Sequence, residues 1–110
     1  MSRDTNQFVV TGRLTRDPEM KYTPEGKAIC QFSIACNDSD EKVNFFECQA
    51  WEKTAEIINE HFKKGQKILI NQGRFNQQRW TTDDGKNMSK YVLNVQGFEF
   101  MGGKRDEDNS

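Results

Sequence analysis

Two stretches of the chain alternate between apolar and polar residues, and this alternation constrains the fold more than any other feature. In residues 28–36 every second side chain is apolar, the pattern of a half-buried β-strand. Residues 43–51 carry two rows. The apolar row comprises Phe46, Cys48 and Ala50, and the mixed row comprises Phe45, Glu47, Gln49 and Trp51. If the apolar row faces the core, Phe45 and Trp51 face outward.

One helix interrupts a series of strands. Residues 8–14 are rich in β-branched and apolar side chains, which predicts a first strand. After the third strand, Thr54 is expected to cap a helix over residues 55–64, with one apolar stripe and with Gly65 as its end. The single histidine, His61, lies beside this stripe, and we interpret it as a partly packed structural residue.

A polar hairpin arm is predicted in the C-terminal half. The fourth strand continues into residues 74–86, which are almost all polar apart from Trp80. Asp84-Gly85 is a strong hairpin signal, so the chain is expected to return as a fifth strand from Tyr91. Trp80 then either pairs across the hairpin with Met88 or Tyr91, or remains free as a ring on which bases stack.

The order of these elements predicts the fold class. Three strands, a helix and two more strands are typical of an all-β fold, a five-stranded antiparallel barrel with one α-helix between the third and fourth strands, which is the OB-fold. The 110 residues leave room for one domain. We expect this domain to occupy residues 1–102 and to be followed by a short charged tail, residues 103–110, that is disordered.

Charge is unevenly distributed along the chain. The 16 basic and 17 acidic residues give a net charge of −1, which taken alone does not favour nucleic-acid binding. Residues 67–90 nevertheless hold five basic and two acidic side chains, whereas residues 40–60 hold six acidic and two basic ones. The positive potential is therefore concentrated on the segment that forms the arm.

The sequence lacks the patterns that catalysis, metal binding or membrane insertion require. Cys30, Cys36 and Cys48 show no CxxC spacing and only His61 is available to join them, so we expect free thiols in a reducing compartment and no metal site. No phosphate loop, GxSxG or HExxH motif occurs, so we expect neither enzyme activity nor a cofactor. No apolar run approaches the ~20 residues that span a bilayer, and the N-terminus has no signal-peptide core, so the protein is expected to be cytoplasmic and not bound to a membrane.

Several separate motifs follow one another along the chain. They are FVVTGRLTRDPEMKYTPEGKA at residues 8–28, NFFECQAWEKTAE at 44–56, FKKGQ at 62–66, QGR at 72–74, and RW at 79–80 ahead of DG at 84–85. In this order and spacing they resemble the bacterial single-stranded-DNA-binding proteins, and the resemblance covers about residues 6–102.

This resemblance implies a function and a set of binding residues. Members of the family are usually homotetramers that bind and protect single-stranded DNA without strong sequence preference during replication, recombination or repair. The expected partners are thus single-stranded DNA and further copies of the chain, in a protein of bacterial, plasmid or phage origin that joins the nucleoid when bound to DNA. The candidate DNA-binding residues, stacking aromatics and the polar groups around them, are Arg13, Lys21, Phe45, Gln49, Trp51, Arg74, Arg79, Trp80 and Lys86.

Three features depart from the family pattern. The loop at residues 37–42 is short and has no aromatic ring, which puts one of the family's stacking contacts in question. Glu47 lies between Phe45 and Trp51, where a carboxylate would repel phosphate. The last seven residues, KRDEDNS, include three acids but no terminal Phe, so recruitment of repair or replication proteins through an acidic, Phe-ended tip is not supported.

Two other functions fit the same residues. An OB-fold protein-interaction module, such as a primosome-type accessory, would bury the aromatic face against a partner, and the net charge and Glu47 favour it. RNA binding is the second, because nothing in the sequence reads or excludes a 2′-hydroxyl. A hydrophobic content of 34%, with 8 glycines, is low for a globular domain and favours a homo-oligomer that buries apolar surface between chains.

Overall fold

Six β-strands and one α-helix make up residues 4–101, which are the residues that the computed structural model describes. In chain order they are β1 (Phe8–Leu14), β2 (Glu19–Tyr22), β3 (Ala28–Ser39), β4 (Lys42–Trp51), α1 (Glu52–His61), β5 (Lys67–Thr81) and β6 (Asn87–Phe100). The strand order is β1-β5-β6-β4-β3-β2, and an additional pairing of β1 with β3 closes the sheet into a barrel. All paired strands are antiparallel except β4 and β6, which are parallel. The predicted tail, residues 103–110, lies outside the described residues.

β1 and β2 are two parts of one bent strand. β1 ends with Leu14 opposite Ile34, and β2 continues along the same neighbour with Glu19 opposite Gln31. Pro18, which has no N–H to donate, lies in the break between them. Counted in this way the barrel has five strands, and the predicted all-β OB-fold is confirmed. The short strand β2 was not predicted, so the helix lies between β4 and β5 of six strands.

The barrel closes where β1 passes between β5 and β3. Gly12 pairs with Ile68 of β5, and the next residue of β1 already pairs with β3. A side chain at position 12 would place its Cβ only 2.8 Å from the carbonyl oxygen of Ala35. Glycine is therefore what allows β1 to approach both neighbours at once.

The core fills the interior of the barrel. Its largest fully buried side chains are Phe32, Phe62, Leu14, Ile34, Ile58, Ile68, Ile70 and Leu93. Four further phenylalanine rings pack against this core, and three of them form one cluster. Phe8 lies with its centroid 5.5 Å from that of Phe46 and 4.7 Å from that of Phe75. Phe46 thus belongs to the packed side of β4, although it is not fully buried.

α1 packs against the barrel with one apolar side. Ala55 and Ile58 are fully buried together with Phe62, which confirms the predicted stripe. Phe62 stacks on Phe100 of β6 with the centroids 4.5 Å apart, so the end of the helix is fixed to the sheet. The ring of His61 lies edge-on to Phe100 at 6.2 Å, a partly packed position.

The helix begins and ends three residues earlier than predicted. Trp51 occupies the N-cap position without a side-chain cap bond, so Thr54 is not the cap. Glu52 follows with a φ of 52°, in the left-handed region, and this conformation turns the chain directly from β4 into the helix. At the other end Phe62 has an extended backbone, which stops the helix at His61.

The predicted arm is present as the outer part of the β5–β6 hairpin, residues 76–92, and we call this segment the arm. Its turn lies at Asp84-Gly85, as predicted. The N–H of Thr82 donates to the carbonyl of Lys86 at 2.9 Å, and the Thr82 hydroxyl accepts from the N–H of Lys86 at 3.1 Å. The same hydroxyl donates to the Asp84 carboxylate, and this bond lowers the pKa of Asp84.

Candidate nucleic-acid interface

The mixed row of β4 presents two aromatic rings on the barrel surface. Phe45 is 69% exposed and Trp51 is 40% exposed, whereas Cys48 and Ala50 of the other row are buried. The rings therefore lie on the side of the sheet that the alternation predicts. Their positions are six residues apart, about 20 Å along a strand, so a ligand that covers both must be several nucleotides long.

A basic side chain lies two strands away from each ring. The cross-strand registers are Lys21↔Ile29↔Trp51 and Arg13↔Ala35↔Phe45. Residues in register share one face of a sheet, and two strand spacings amount to about 10 Å. Arg13 donates from Nη1 to the carbonyl of Gly65 at 3.2 Å, which holds its guanidinium at the edge of this face. A strand lying across the rings would thus have a cation within reach at both.

Gln49 belongs to the same row but is not on the open surface. It is the centre of a polar row across five strands, made of Glu19, Gln31, Gln49, Asn94 and Arg74. Gln49 is only 7% exposed, and its Nε2 donates to Oδ1 of Asn94 at 2.9 Å. Contrary to expectation, it is buried where β4 pairs with β6, opposite Asn94.

Arg74 lies at the end of this polar row, beside a groove. The groove has a volume of about 610 Å³ and is lined by Asp4, Thr5, Asn6, Arg74, Asn76, Asn94 and Gln96. Arg74 donates from Nη1 to the carbonyl of Asn6 at 3.4 Å. The Asn6 side chain in turn bonds the N–H and the carbonyl of Phe75, at 3.1 and 2.9 Å. The N-terminal segment therefore holds the guanidinium at the groove.

The arm carries the third predicted ring. Trp80 lies opposite Met88 in the hairpin, and the two side chains are 44% and 43% exposed. The cross-hairpin pairing is thus formed, yet nearly half of the indole stays open. Arg79 points to the other face of the arm, where its Nη2 donates to Oε1 of Gln77 at 2.6 Å. Lys86 is exposed in the turn.

Three residues outside the predicted set also lie on these surfaces. Lys90 lines a groove beside Trp80 on the arm. Tyr91 is 63% exposed on the arm face opposite Trp80. Arg16 donates from Nη1 to Oγ of Ser33 at 3.2 Å, on the barrel surface. The polar character of the arm is the signal that indicates Lys90 and Tyr91, because it leaves both faces of this part of β6 open, whereas Arg16 lies between β1 and β2 and gives no such signal.

Two of the three cysteines, Cys30 and Cys48, are buried and contribute no reactive group to this surface. Burial raises the pKa of Cys30 to about 11. Burial also raises the pKa of Cys48, and the charge of the neighbouring Glu47 adds to that effect. Both thiols stay protonated at neutral pH, so neither is activated as a nucleophile. In residues 4–101 no group of three metal-ligating side chains comes together, and no helix is long and apolar enough to cross a membrane.

A closed barrel of five strands, with its helix after the third barrel strand and exposed rings and cations on one face, defines an OB-fold of the class that binds oligomeric ligands. The chain belongs to the single-strand binding protein family, whose family model matches residues 5–101.

Related proteins match most of this chain. A single-stranded DNA-binding protein of Fusobacterium nucleatum is 41% identical, over 86% of this chain and 66% of its own length. One from Treponema pallidum is 37% identical, over 90% of this chain and 59% of its own. Single-stranded DNA-binding protein 1 of Synechocystis is 38% identical, over 92% of this chain and 87% of its own. The chain therefore spans about three fifths to two thirds of the length of the first two relatives.

Proposed function

We propose that this protein binds and protects single-stranded DNA, without strong sequence preference, during replication, recombination or repair. The observation that carries the proposal is the pair of exposed rings, Phe45 and Trp51, on one face of an OB-fold barrel in a chain of this family. Relatives that match most of the chain are named single-stranded DNA-binding proteins. Binding requires no catalytic group and no cofactor.

Base stacking supplies the affinity in this proposal. Phe45 and Trp51 receive bases on the barrel, and Trp80 extends the platform onto the arm. Each stacked base contributes about 1–3 kcal/mol, and stacking tolerates any sequence because every base has a π-face. The net charge of −1 does not oppose this, because the cations lie beside the rings and the arm is locally basic.

The remaining candidate residues act on the sugar-phosphate backbone or on the platform itself. The basic side chains that meet phosphates are Arg13, Lys21, Arg74, Arg79 and Lys86. Gln49 acts as a positioning residue, because its hydrogen bond to Asn94 connects β4 to β6 beneath the bound DNA. Since Arg74 is the register neighbour of Asn94, the same bond supports the groove at the end of the row.

Tryptophan fluorescence titrated with oligo(dT) tests the proposal, because stacking on a base quenches an indole. Trp51→Phe and Trp80→Phe each leave one reporter, so quenching is measured at each ring separately. Quenching in both variants supports the assigned face. If neither responds while circular dichroism shows an intact fold, the aromatic face is a protein-interaction surface instead. A parallel titration with oligo(U) compares DNA with RNA.

We also propose that the protein is a homo-oligomer, a tetramer of paired dimers. Val9 on β1 and Phe100 at the end of β6 are 65% and 54% exposed in the single chain. Association would remove such apolar surface from water. Light scattering that reports 12.8 kDa at micromolar concentration would refute this. A tetramer should bind a long strand far more tightly than a short oligonucleotide, through linked sites.

We place the binding domain in residues 1–102 and the site of action in the cytoplasm. Deleting residues 104–110 is expected to leave both the oligomeric mass and the affinity for oligo(dT) unchanged. A loss of either in the deletion variant would make the charged tail part of the binding or assembly surface.

A further inference from the structure

We propose that Glu47 determines a base preference, so that the stacking face binds bases with an exocyclic amino group, above all cytosine, more tightly than thymine or uracil. The inference rests on the proposed function and deepens it, because a modest preference is compatible with binding every sequence. It assigns a role to the one carboxylate that interrupts the aromatic row.

The position of Glu47 brings it to the edge of a stacked base. It follows Phe45 by two residues in β4, so the two side chains emerge on one face about 7 Å apart. Both are exposed. A base stacked on the Phe45 ring extends beyond that ring, and the two methylenes of Glu47 let its carboxylate reach the polar edge of the base on this side.

The carboxylate oxygens of Glu47 are available to a ligand. Within residues 4–101 they accept no side-chain hydrogen bond and lie in no ion pair. The cross-strand neighbour that has a hydroxyl, Ser33, is already engaged. Its Oγ hydrogen-bonds with the Thr15 hydroxyl and accepts from Arg16. The carboxylate oxygens of Glu47 are therefore free to accept hydrogen bonds from a ligand.

The chemistry of the bases then decides which of them is favoured. An ionised carboxylate only accepts hydrogen bonds. Cytosine offers the N4 amino group as a donor, whereas thymine and uracil place the acceptor O4 at the same position. The first pairing forms a charge-assisted hydrogen bond, and the second opposes two acceptors. Adenine and guanine carry amino groups as well, so uracil and thymine are the bases that Glu47 disfavours.

Repulsion of phosphate by the same carboxylate is separable from this effect. Phosphates are identical in all oligonucleotides of one length, so their repulsion changes every affinity by the same factor and is screened by salt. A hydrogen bond to the base changes the ratio of two affinities. The ratio of oligo(dC) to oligo(dU) is the most direct measure, because both lack the thymine methyl group.

The experiment compares octamers of dC and dU on the wild type and on Glu47→Gln, by tryptophan quenching at pH 8 to keep cytosine neutral. Glutamine both donates and accepts, so it is indifferent to the two edges. We expect the dC to dU affinity ratio to fall by about three- to tenfold in the variant, the size of one net hydrogen bond. The fall should persist at high salt.

Glu19→Gln is the matched control. Glu19 lies on the same face of the sheet in β2, through the register Glu19↔Gln31↔Gln49, but it is not beside Phe45. Its loss should shift both affinities equally and leave their ratio unchanged. If Glu47→Gln likewise tightens both octamers with an unchanged ratio, the carboxylate only repels phosphate and the inference is wrong. If the wild type shows no quenching with either octamer, the proposed function itself fails.

Discussion

Phe45 and Phe46 are adjacent in the chain but lie on opposite faces of β4, so changing each one to alanine should separate binding from folding. Phe45 is 69% exposed, whereas Phe46 packs against the core beside Phe8 and Phe75. We expect Phe45→Ala to lose affinity for single-stranded DNA with little loss of stability. We expect Phe46→Ala to lose stability while the folded protein keeps its affinity for single-stranded DNA.

The magnitudes follow from the contacts of each ring. Removing a buried Phe side chain costs about 3–5 kcal/mol, and Phe46 is only partly buried, so we expect a loss of about 2–4 kcal/mol in the free energy of unfolding. For a domain of this size that lowers the Tm by roughly 10–20 °C. Phe45→Ala removes an exposed ring and should change stability by less than about 0.5 kcal/mol. Its loss of one stacked base weakens binding by about 1–3 kcal/mol.

Both variants keep Trp51 and Trp80, so urea unfolding and oligo(dT) quenching can be followed with the same signal. Affinities are compared at a temperature at which each variant is folded. The reasoning is refuted if Phe46→Ala weakens binding by the folded protein as much as Phe45→Ala does. It is equally refuted if Phe45→Ala destabilises the fold by more than about 2 kcal/mol, because that ring would then be packed rather than exposed.

Three further predictions concern the charge, the backbone and the thiols. In fluorescence titrations at several salt concentrations, Arg79→Ala should reduce the slope of log affinity against log salt by about 0.7, the effect of one phosphate contact. The reduction should be similar for all sequences. Glu52→Gly should increase the free energy of unfolding by about 0.5–1 kcal/mol, seen as a higher urea midpoint, because glycine adopts the left-handed φ of 52° without strain. Glu52→Ala should give no such increase. At pH 8 a thiol reagent should modify Cys36 but not Cys30 or Cys48 until the protein unfolds, because burial raises the pKa of the latter two. Since the Cys30 pKa rises from 9.0 to about 11 on folding, its contribution to stability is complete below pH 9 and is lost as the pH rises through 11.

Local patterns were sufficient for much of the site. The two-residue repeat of residues 43–51 requires one row to face inward, and only the row of Cys48 and Ala50 is apolar enough for the core. The outward positions of Phe45 and Trp51 follow from this, whichever strands lie beside them. The arm was predictable for a similar reason, because Asp84-Gly85 specifies a tight turn and the residues around it have no apolar face.

The helix limits show where local patterns stop. The apolar spacing of Ala55, Ile58 and Phe62 identified the buried side, but Thr54 suggested a cap that is not formed. The geometry of the exit from β4 decided the start, because the chain must turn at Glu52 to place the helix against the barrel. The short strand β2 was missed for a related reason: its four residues form a strand only because β3 pairs with them.

The sequence by itself determined which face of each strand turns outward. Successive side chains of a strand point to opposite faces, so the more apolar row marks the inner face and the other row faces outward. The tertiary structure decided what covers them. Gln49 has the outward parity of Phe45, yet Asn94, 45 residues further along the chain, buries it through the parallel pairing of β4 and β6. Arg16 reaches the stacking face because the bend between β1 and β2 brings it to Ser33. Both outcomes depend on the long-range register that closes the barrel, and a local repeat carries no information about that register.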